Sequence, residues 1–282
     1  MALDRGTPRA HALGSRLREV RQRAGLGLRQ MAAALGDVSH TTVAQWETGQ
    51  RPPSPQRVDQ FLQITGTGQT ERAELMELAQ HVDGPHWISV GMPAPPQQLV
   101  ALMEFEREAS SIIEVAPGVI PGLLQTADYA RAMMRGSGMN HTEAETRVAM
   151  RVSRREVLHR EPLHFTAIIG EAPLRSLVGG RQAMEEQLRF LIKMAQRTNV
   201  TLRVVPQESD WNPLMEGQFA VINFEHDPPI ATSENQISSL FFHRPKDVAA
   251  FQQKVEQLLN FAMTSADSLG WIANRLNHLE SL

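Results

Sequence analysis

Two groups of residues in this 282-residue chain are of types that could do chemistry. The first is His159, Glu161, His164 and Glu171, a histidine–carboxylate cluster of the kind that binds metals or moves protons. Its spacing is not His-Glu-x-x-His, where one helix face offers two imidazoles to zinc. There is also no glycine-rich phosphate loop, no Gly-x-Ser-x-Gly elbow and no placeable Ser/His/Asp set. The chain has no cysteine, which excludes a thiolate nucleophile, a thiolate metal site and a disulfide framework. The expectation is therefore no catalytic residue, no metal and no cofactor, and not an enzyme.

The second group lies in "VSHTTVAQWETGQRPPSP", residues 38–55. Successive helical residues turn by about 100°. Val43 and Trp46 then share one face, with Thr42 beside them. Thr41, Ala44, Gln45 and Thr48 fall on the other, with His40 at its edge. Ser39 can cap the helix by accepting a first-turn N–H. Amide and hydroxyl side chains of this kind suit a DNA major groove, where Gln pairs with adenine and a Thr methyl meets the thymine methyl. The plainer reading is a short helix with Trp46 in a core and His40 solvated.

Such a helix needs a frame. Residues 11–82 read as about five short helices. In the first, Leu13, Leu17, Val20 and Ala24 recur at helical spacing and Gly25 stops it. The second has Met31, Ala32 and Leu35 inward and ends at Gly36. The fourth opens at a proline suited to a first turn, with Val58, Phe61 and Leu62 as its stripe. The fifth is capped by Thr70 and presents Leu75, Leu78 and Ala79.

With the frame in place, "GLGLRQMAAALGDVSHTTVAQWETGQRPPSP" resembles the Cro/repressor-type helix-turn-helix of the xenobiotic-response-element family, over roughly residues 11–65. The resemblance implies roles. Arg21 and Glu47 match an ion pair tying the first helix to the third, which also aims Arg21 toward a phosphate. Together with Val43 and Trp46 they are the structural set. His40, Thr41 and Gln45 match base-facing positions, docked through the helix N-terminus. Thr48 and Arg51 match positions near the DNA backbone. The pattern departs at Leu28, where a phosphate-holding polar residue is usual, leaving backbone N–H groups and Arg29 for that contact. Asp37 is an extra residue in the turn and places an acid near the groove. Arg5, Arg9 and Arg16 are further phosphate candidates or simply solvated.

Residues 83–96, "DGPHWISVGMPAPP", are rich in Pro and Gly and read as a linker. They divide a helix-turn-helix domain, 1–82, from a regulatory or partner-binding α/β domain, 97–282. The fold class is α+β: an all-α five-helix domain, then a mixed α/β domain with a small sheet and a helical C-terminus. "LHFTAIIGE" is a strand buried on both faces; "NVTLRVVP", "GQFAVINFE" and "PIATSE" are further strands. From about Pro245 to Leu279 the chain is helical, with a break at Thr264–Ser265, and either packs on the sheet or makes a dimer contact.

The body resembles the C-terminal domain of a group of actinobacterial, antitoxin-like transcriptional regulators. "PGLLQTADYARAM", "RVSRREVLHR", "GEAPLRSLVGG", "NVTLRVVP", "GQFAVINFE" and "SENQ" carry the likeness, in that order. It implies regulation together with a small partner protein encoded nearby. Arg147, Arg151, Arg154 and Arg155 form one helical stripe. It reads as a solvated face, as a set paired with acids such as Glu185 and Glu186, or as a docking stripe for an acidic partner.

Charge supports a divided chain. Residues 1–57 hold nine arginines against four acids, while the whole chain has a net charge of −3. A basic head on an acidic body suits a double-stranded DNA binder. Only three of the 28 basic residues are lysines, a bias of GC-rich genomes. No apolar run spans a bilayer and the N-terminus lacks a signal-peptide core, so a cytoplasmic protein with no membrane partner is expected, as a homodimer on a two-fold site. The leading expectation is a sequence-specific regulator controlled through its body by the partner. The alternatives are a small-molecule sensor, with Trp211, Phe219 and Phe224 lining a pocket, and an antitoxin that sequesters its partner and autoregulates.

Overall fold

The computed structural model describes residues 7–80, 82, 86–90, 96–234 and 238–281. In chain order it runs through helices α1 (Pro8–Arg23), α2 (Leu28–Leu35), α3 (His40–Glu47), α4 (Pro55–Ile64) and α5 (Gln69–Gln80), then strand β1 (His86–Val90) and helix α6 (Pro96–Glu108). Strand β2 (Ala109–Ala116), helices α7 (Ala127–Gly136) and α8 (His141–Arg154), strand β3 (His164–Gly170) and helices α9 (Glu171–Arg175) and α10 (Arg181–Ala195) follow. The chain closes with β4 (Val200–Val205), β5 (Phe219–Phe224), β6 (Ile230–Glu234), β7 (Ser238–Phe242), α11 (Pro245–Phe261) and α12 (Ser265–Glu280). The fold is α+β, as expected.

The chain divides into two compact units. The first comprises residues 1–108, 225–230 and 235–245, the second residues 109–224, 231–234 and 246–282. In the first unit, Leu13, Leu17, Met31, Val43, Val58, Phe61, Leu62 and Leu75 are fully buried. These are the residues whose helical spacing pointed inward. Ala24 and Leu35 are exceptions: α1 ends at Arg23 with Ala24 as its exposed C-cap, and Leu35, the last residue of α2, is only half-buried. The first helix also starts earlier than its stripe suggests, because Thr7 caps it through Ala10 N–H at 3.2 Å and Pro8 fills the first turn. Thr70 is not a cap but the second residue of α5, which begins at Gln69.

Part of the segment read as a linker is a strand. Residues 86–90 pair antiparallel with β7, His86 opposite Phe242 and Val90 opposite Ser238. The remainder of 83–95 lies outside the described residues. Helix α6 packs on α1, with the His11 and Phe105 rings edge-on at 5.1 Å between centroids.

In the second unit the strands run β6-β5-β2-β3-β4. β2/β3 and β3/β4 are parallel and β2/β5 antiparallel. Helices form the connections between the parallel strands, as such pairing requires. Strand β3 is buried from Ala167 to Gly170, which explains its unbroken apolar run. At the C-terminus, Thr264 breaks the helix and caps α12 through Asp267 N–H at 3.1 Å. Helix α12 then packs on α10 and β4, burying Ile272, Leu276 and Leu279. Ser268, fully buried on α12, accepts Val204 N–H at 2.9 Å.

Candidate nucleic-acid interface

Helix α3 is held from three sides. At its start Ser39 Oγ accepts Thr42 N–H at 3.0 Å, a cap contributing about 1 kcal/mol. Along its inner face Val43, Trp46 and Glu47 are buried. At its end, Glu47 Oε1 and Oε2 receive Arg21 Nε and Nη2 at 2.5 and 2.7 Å, a bidentate pair between two buried side chains. Those hydrogen bonds hold the Arg21 guanidinium above its ordinary pKa, so it stays charged. Arg21 Nη1 donates to Leu26 O at 2.6 Å. With 7 % of its surface exposed, Arg21 is enclosed, and little of it is open to a phosphate.

Arg18, which no sequence motif singles out, also holds the helix: its Nη2 donates to Glu47 O at 3.2 Å. It satisfies a carbonyl at the helix end, where no intrahelical partner exists. Gly14 is likewise unmarked by any sequence motif. A Cβ there would sit 2.4 Å from Trp46 O and 2.8 Å from Glu47 O. A Cβ on Gly49, whose φ is +72°, would lie 2.6 Å from His11 Cα. α1 and the end of α3 therefore touch backbone to backbone, and only glycine allows it.

The outer face is left open. His40 and Thr41 are exposed, and Gln45 and Thr48 half-exposed. Thr48 Oγ1 and Arg51 N–H both donate to Gln45 O, at 3.2 and 3.3 Å. This folds the exit turn back onto α3 and sets the exposed Arg51 beside it. Arg29 is exposed on α2, and Gln30 Oε1 accepts the N–H of the N-cap residue Gly27 at 2.7 Å. Leu28 is half-buried. Arg16 is engaged by Glu19 and Glu71, at 3.1 and 2.7 Å. Arg5 lies outside the described residues.

In the second unit the arginine stripe makes several contacts within the chain. Arg147 Nη2 pairs with Glu143 Oε1 at 2.9 Å, one turn back on α8, rather than with Glu185 or Glu186. Arg151 Nη1 donates to Gln125 Oε1 at 2.8 Å, and burial lowers its pKa, with Arg154 adding to that and Glu234 and Glu114 opposing it. Arg155 stacks on the Phe190 ring, 4.8 Å from its centroid. All four are half-buried or deeper rather than exposed. Trp211 lines no interior pocket: it is 62 % exposed, while Phe219 is buried. Among the described residues no cluster of histidine and carboxylate groups could hold a metal ion. No described helix is long and apolar enough to cross a membrane.

A helix-turn-helix domain family matches residues 12–75, the segment that holds most of α1, all of α2 to α4 and the first part of α5. A domain family of unknown function, DUF5753, matches residues 99–274, more than half of the chain. The chain belongs to the DUF5753 family. No curated protein matches this DUF5753 chain. Among solved structures, TrmBL2, described as an archaeal chromatin protein with a novel mode of DNA binding, aligns at 12 % identity over 85 % of this chain and 88 % of its own. The TM-score of that alignment is 0.31, too loose a likeness to transfer a fold.

Proposed function

We propose that this DUF5753 chain is a sequence-specific, DNA-binding transcription regulator whose C-terminal body is controlled by a small partner protein. The observation that carries the DNA-binding reading is the division of α3. Val43, Trp46 and Glu47 are buried, while His40 and Thr41 stand exposed and Gln45 half-exposed on the other side. A helix secured this firmly with polar side chains left open matches the way a recognition helix enters the major groove. His40, Thr41 and Gln45 are the base readers in this reading. Arg29, Thr48 and Arg51 serve the backbone, and the enclosed Arg21 acts mainly as the tie to Glu47.

A gel shift on the gene's own upstream region tests it. Gln45→Ala should relax base choice at one position, and Arg51→Ala should weaken binding to all sequences alike. If neither the full chain nor any variant shifts that region or any genomic fragment, the reading fails.

The partner part of the proposal has a different support. Trp211 and Met215 are 62 % and 59 % exposed on one loop. That loop is pinned by the buried Asn212, which bonds Ser209 Oγ, Asp210 O and Leu214 N–H at 2.9–3.1 Å. A rigid, exposed tryptophan is the usual anchor of a protein interface. Residues 206–217 contain three acids, Glu208, Asp210 and Glu216, and no lysine or arginine; Lys254 pairs with Glu216, and Glu208 and Asp210 favour a basic rather than an acidic partner there. The arginine stripe, taken up by internal contacts, is the weaker docking candidate. Light scattering of the purified chain tests the accompanying expectation of a homodimer.

A further inference from the structure

We propose that Asp37 and Arg57 form an electrostatic gate beside the reading helix, in which Asp37 withholds from the DNA backbone a phosphate contact that Arg57 is placed to make. The proposal rests on the DNA-binding reading above.

Asp37 stands in the turn between α2 and α3, three residues before His40. Arg57, the third residue of α4, reaches across to it, and Nη2 donates to Asp37 Oδ2. Arg57 Nη1 donates to Gln60 Oε1 at 2.9 Å. The guanidinium is thereby fixed next to the N-terminus of the helix that carries His40 and Thr41. An α-helix with its side chains is about 10–12 Å across, and the major groove is about 12 Å wide. Charged groups just beside the inserted end of such a helix therefore face the phosphates that border the groove.

The pair is also easily opened. Its side chains are 60 % exposed at Asp37 and 30 % at Arg57. Exposed pairs of this kind hold weakly. Other arginines of this unit are tied to acids elsewhere: Arg21 to Glu47, Arg23 to Glu71 and Arg72 to Asp59. Arg57 is paired with an acid of the turn itself. Asp37 thus has two effects of the same sign. It repels the phosphate directly, and it cancels a cation positioned to attract it.

Fluorescence anisotropy with a short labelled duplex of scrambled sequence reads the gate, because phosphate contacts do not depend on sequence. Affinity is followed from roughly 50 to 200 mM KCl, where each phosphate contact adds about 0.9 to the log–log salt slope. Asp37→Ala should bind more tightly than wild type at low salt. Its slope should steepen by about 0.9, an extra loss of about 3.5-fold across that range. Arg57→Ala alone should change the slope by much less. Adding Arg57→Ala to Asp37→Ala should abolish the gain. If the gain survives in the double variant, Asp37 acts only by its own repulsion and the gate is refuted, as it is if Asp37→Ala leaves the slope unchanged. If wild type and all variants alike fail to bind the duplex, the DNA-binding reading falls and the gate with it. Thermal unfolding of each variant, with Asp37→Ser as a second replacement in the turn, separates a lost fold from a lost contact.

Discussion

The Arg21–Glu47 pair shows how much rests on single residues. Both side chains are buried, and each hydrogen bond of the fork is short. Removing one partner leaves the other charged and enclosed, which costs about 3–5 kcal/mol. Glu47→Ala should therefore lower the urea midpoint of the DNA-binding unit sharply, and more than Arg51→Ala, which removes an exposed side chain. Equal midpoints for the two variants would contradict this account. The pair was legible in advance through a family pattern that names both positions. Arg18 was not, because its partner is a main-chain carbonyl of Glu47, and carbonyls carry no signature in a sequence. The arginine stripe of α8 teaches a related lesson. Helical spacing placed Arg147, Arg151, Arg154 and Arg155 on a common side. What covers that side is set by Gln125 and Phe190, which arrive from distant parts of the chain.

Among the elements, the seat of α3 on α1 depends on glycine. A methyl group on Gly14 would meet main-chain oxygens, which cannot swing aside as a side chain can. Gly14→Ala should cost about 1–3 kcal/mol by overpacking and should weaken DNA binding by tilting α3. Gly25 has a comparable φ of +71° but open space around it. Gly25→Ala should cost only the left-handed strain, about 1–2 kcal/mol, and leave DNA binding unchanged. Melting curves paired with anisotropy separate the two. In the second unit the fully buried Gln187 accepts Thr126 N–H and donates to Leu124 O, both at 2.7 Å, joining α10 to the turn before α7. Gln187→Leu strands a buried carbonyl and a part-buried N–H and should cost about 2–4 kcal/mol, measurable by chemical unfolding. Most helices could be anticipated because caps, first-turn prolines and glycine stops are local: Ser39, Pro55 and Gly36. β1 and β7 could not. Each is five residues long, and each exists through pairing with a strand some 150 residues away, a relation that periodicity within either segment does not record.

At the scale of the molecule, the two compact units are not two consecutive stretches of chain. The unit holding the helix-turn-helix also contains α6, residues 225–230 and residues 235–245. Phe105 of α6 is buried there between His11 and Phe241, at 5.1 and 5.9 Å. Phe105→Ala should cost about 3–5 kcal/mol and should lower the melting temperature of the DNA-binding unit, although the residue lies far along the chain from α3. In contrast, Trp211→Ser should leave thermal stability within about 0.5 kcal/mol, as for exposed positions generally, and abolish capture of the proposed protein partner. Loss of stability there would mean that Trp211 has a packing role.

The interleaving bears on how such a protein can be taken apart. The family stretch, residues 99–274, includes Phe105, Phe241 and β7, yet these residues belong physically to the unit of the helix-turn-helix. The borders drawn by sequence likeness and the borders drawn by packing therefore do not coincide. A chain cut after residue 82 would lose the cover that α6 gives α1. A chain beginning at residue 97 would carry that cover with nothing beneath it, an apolar scar where His11 and its neighbours had been. Exchange of the head for another helix-turn-helix would succeed only where the newcomer's first helix matched the surface already present in the body.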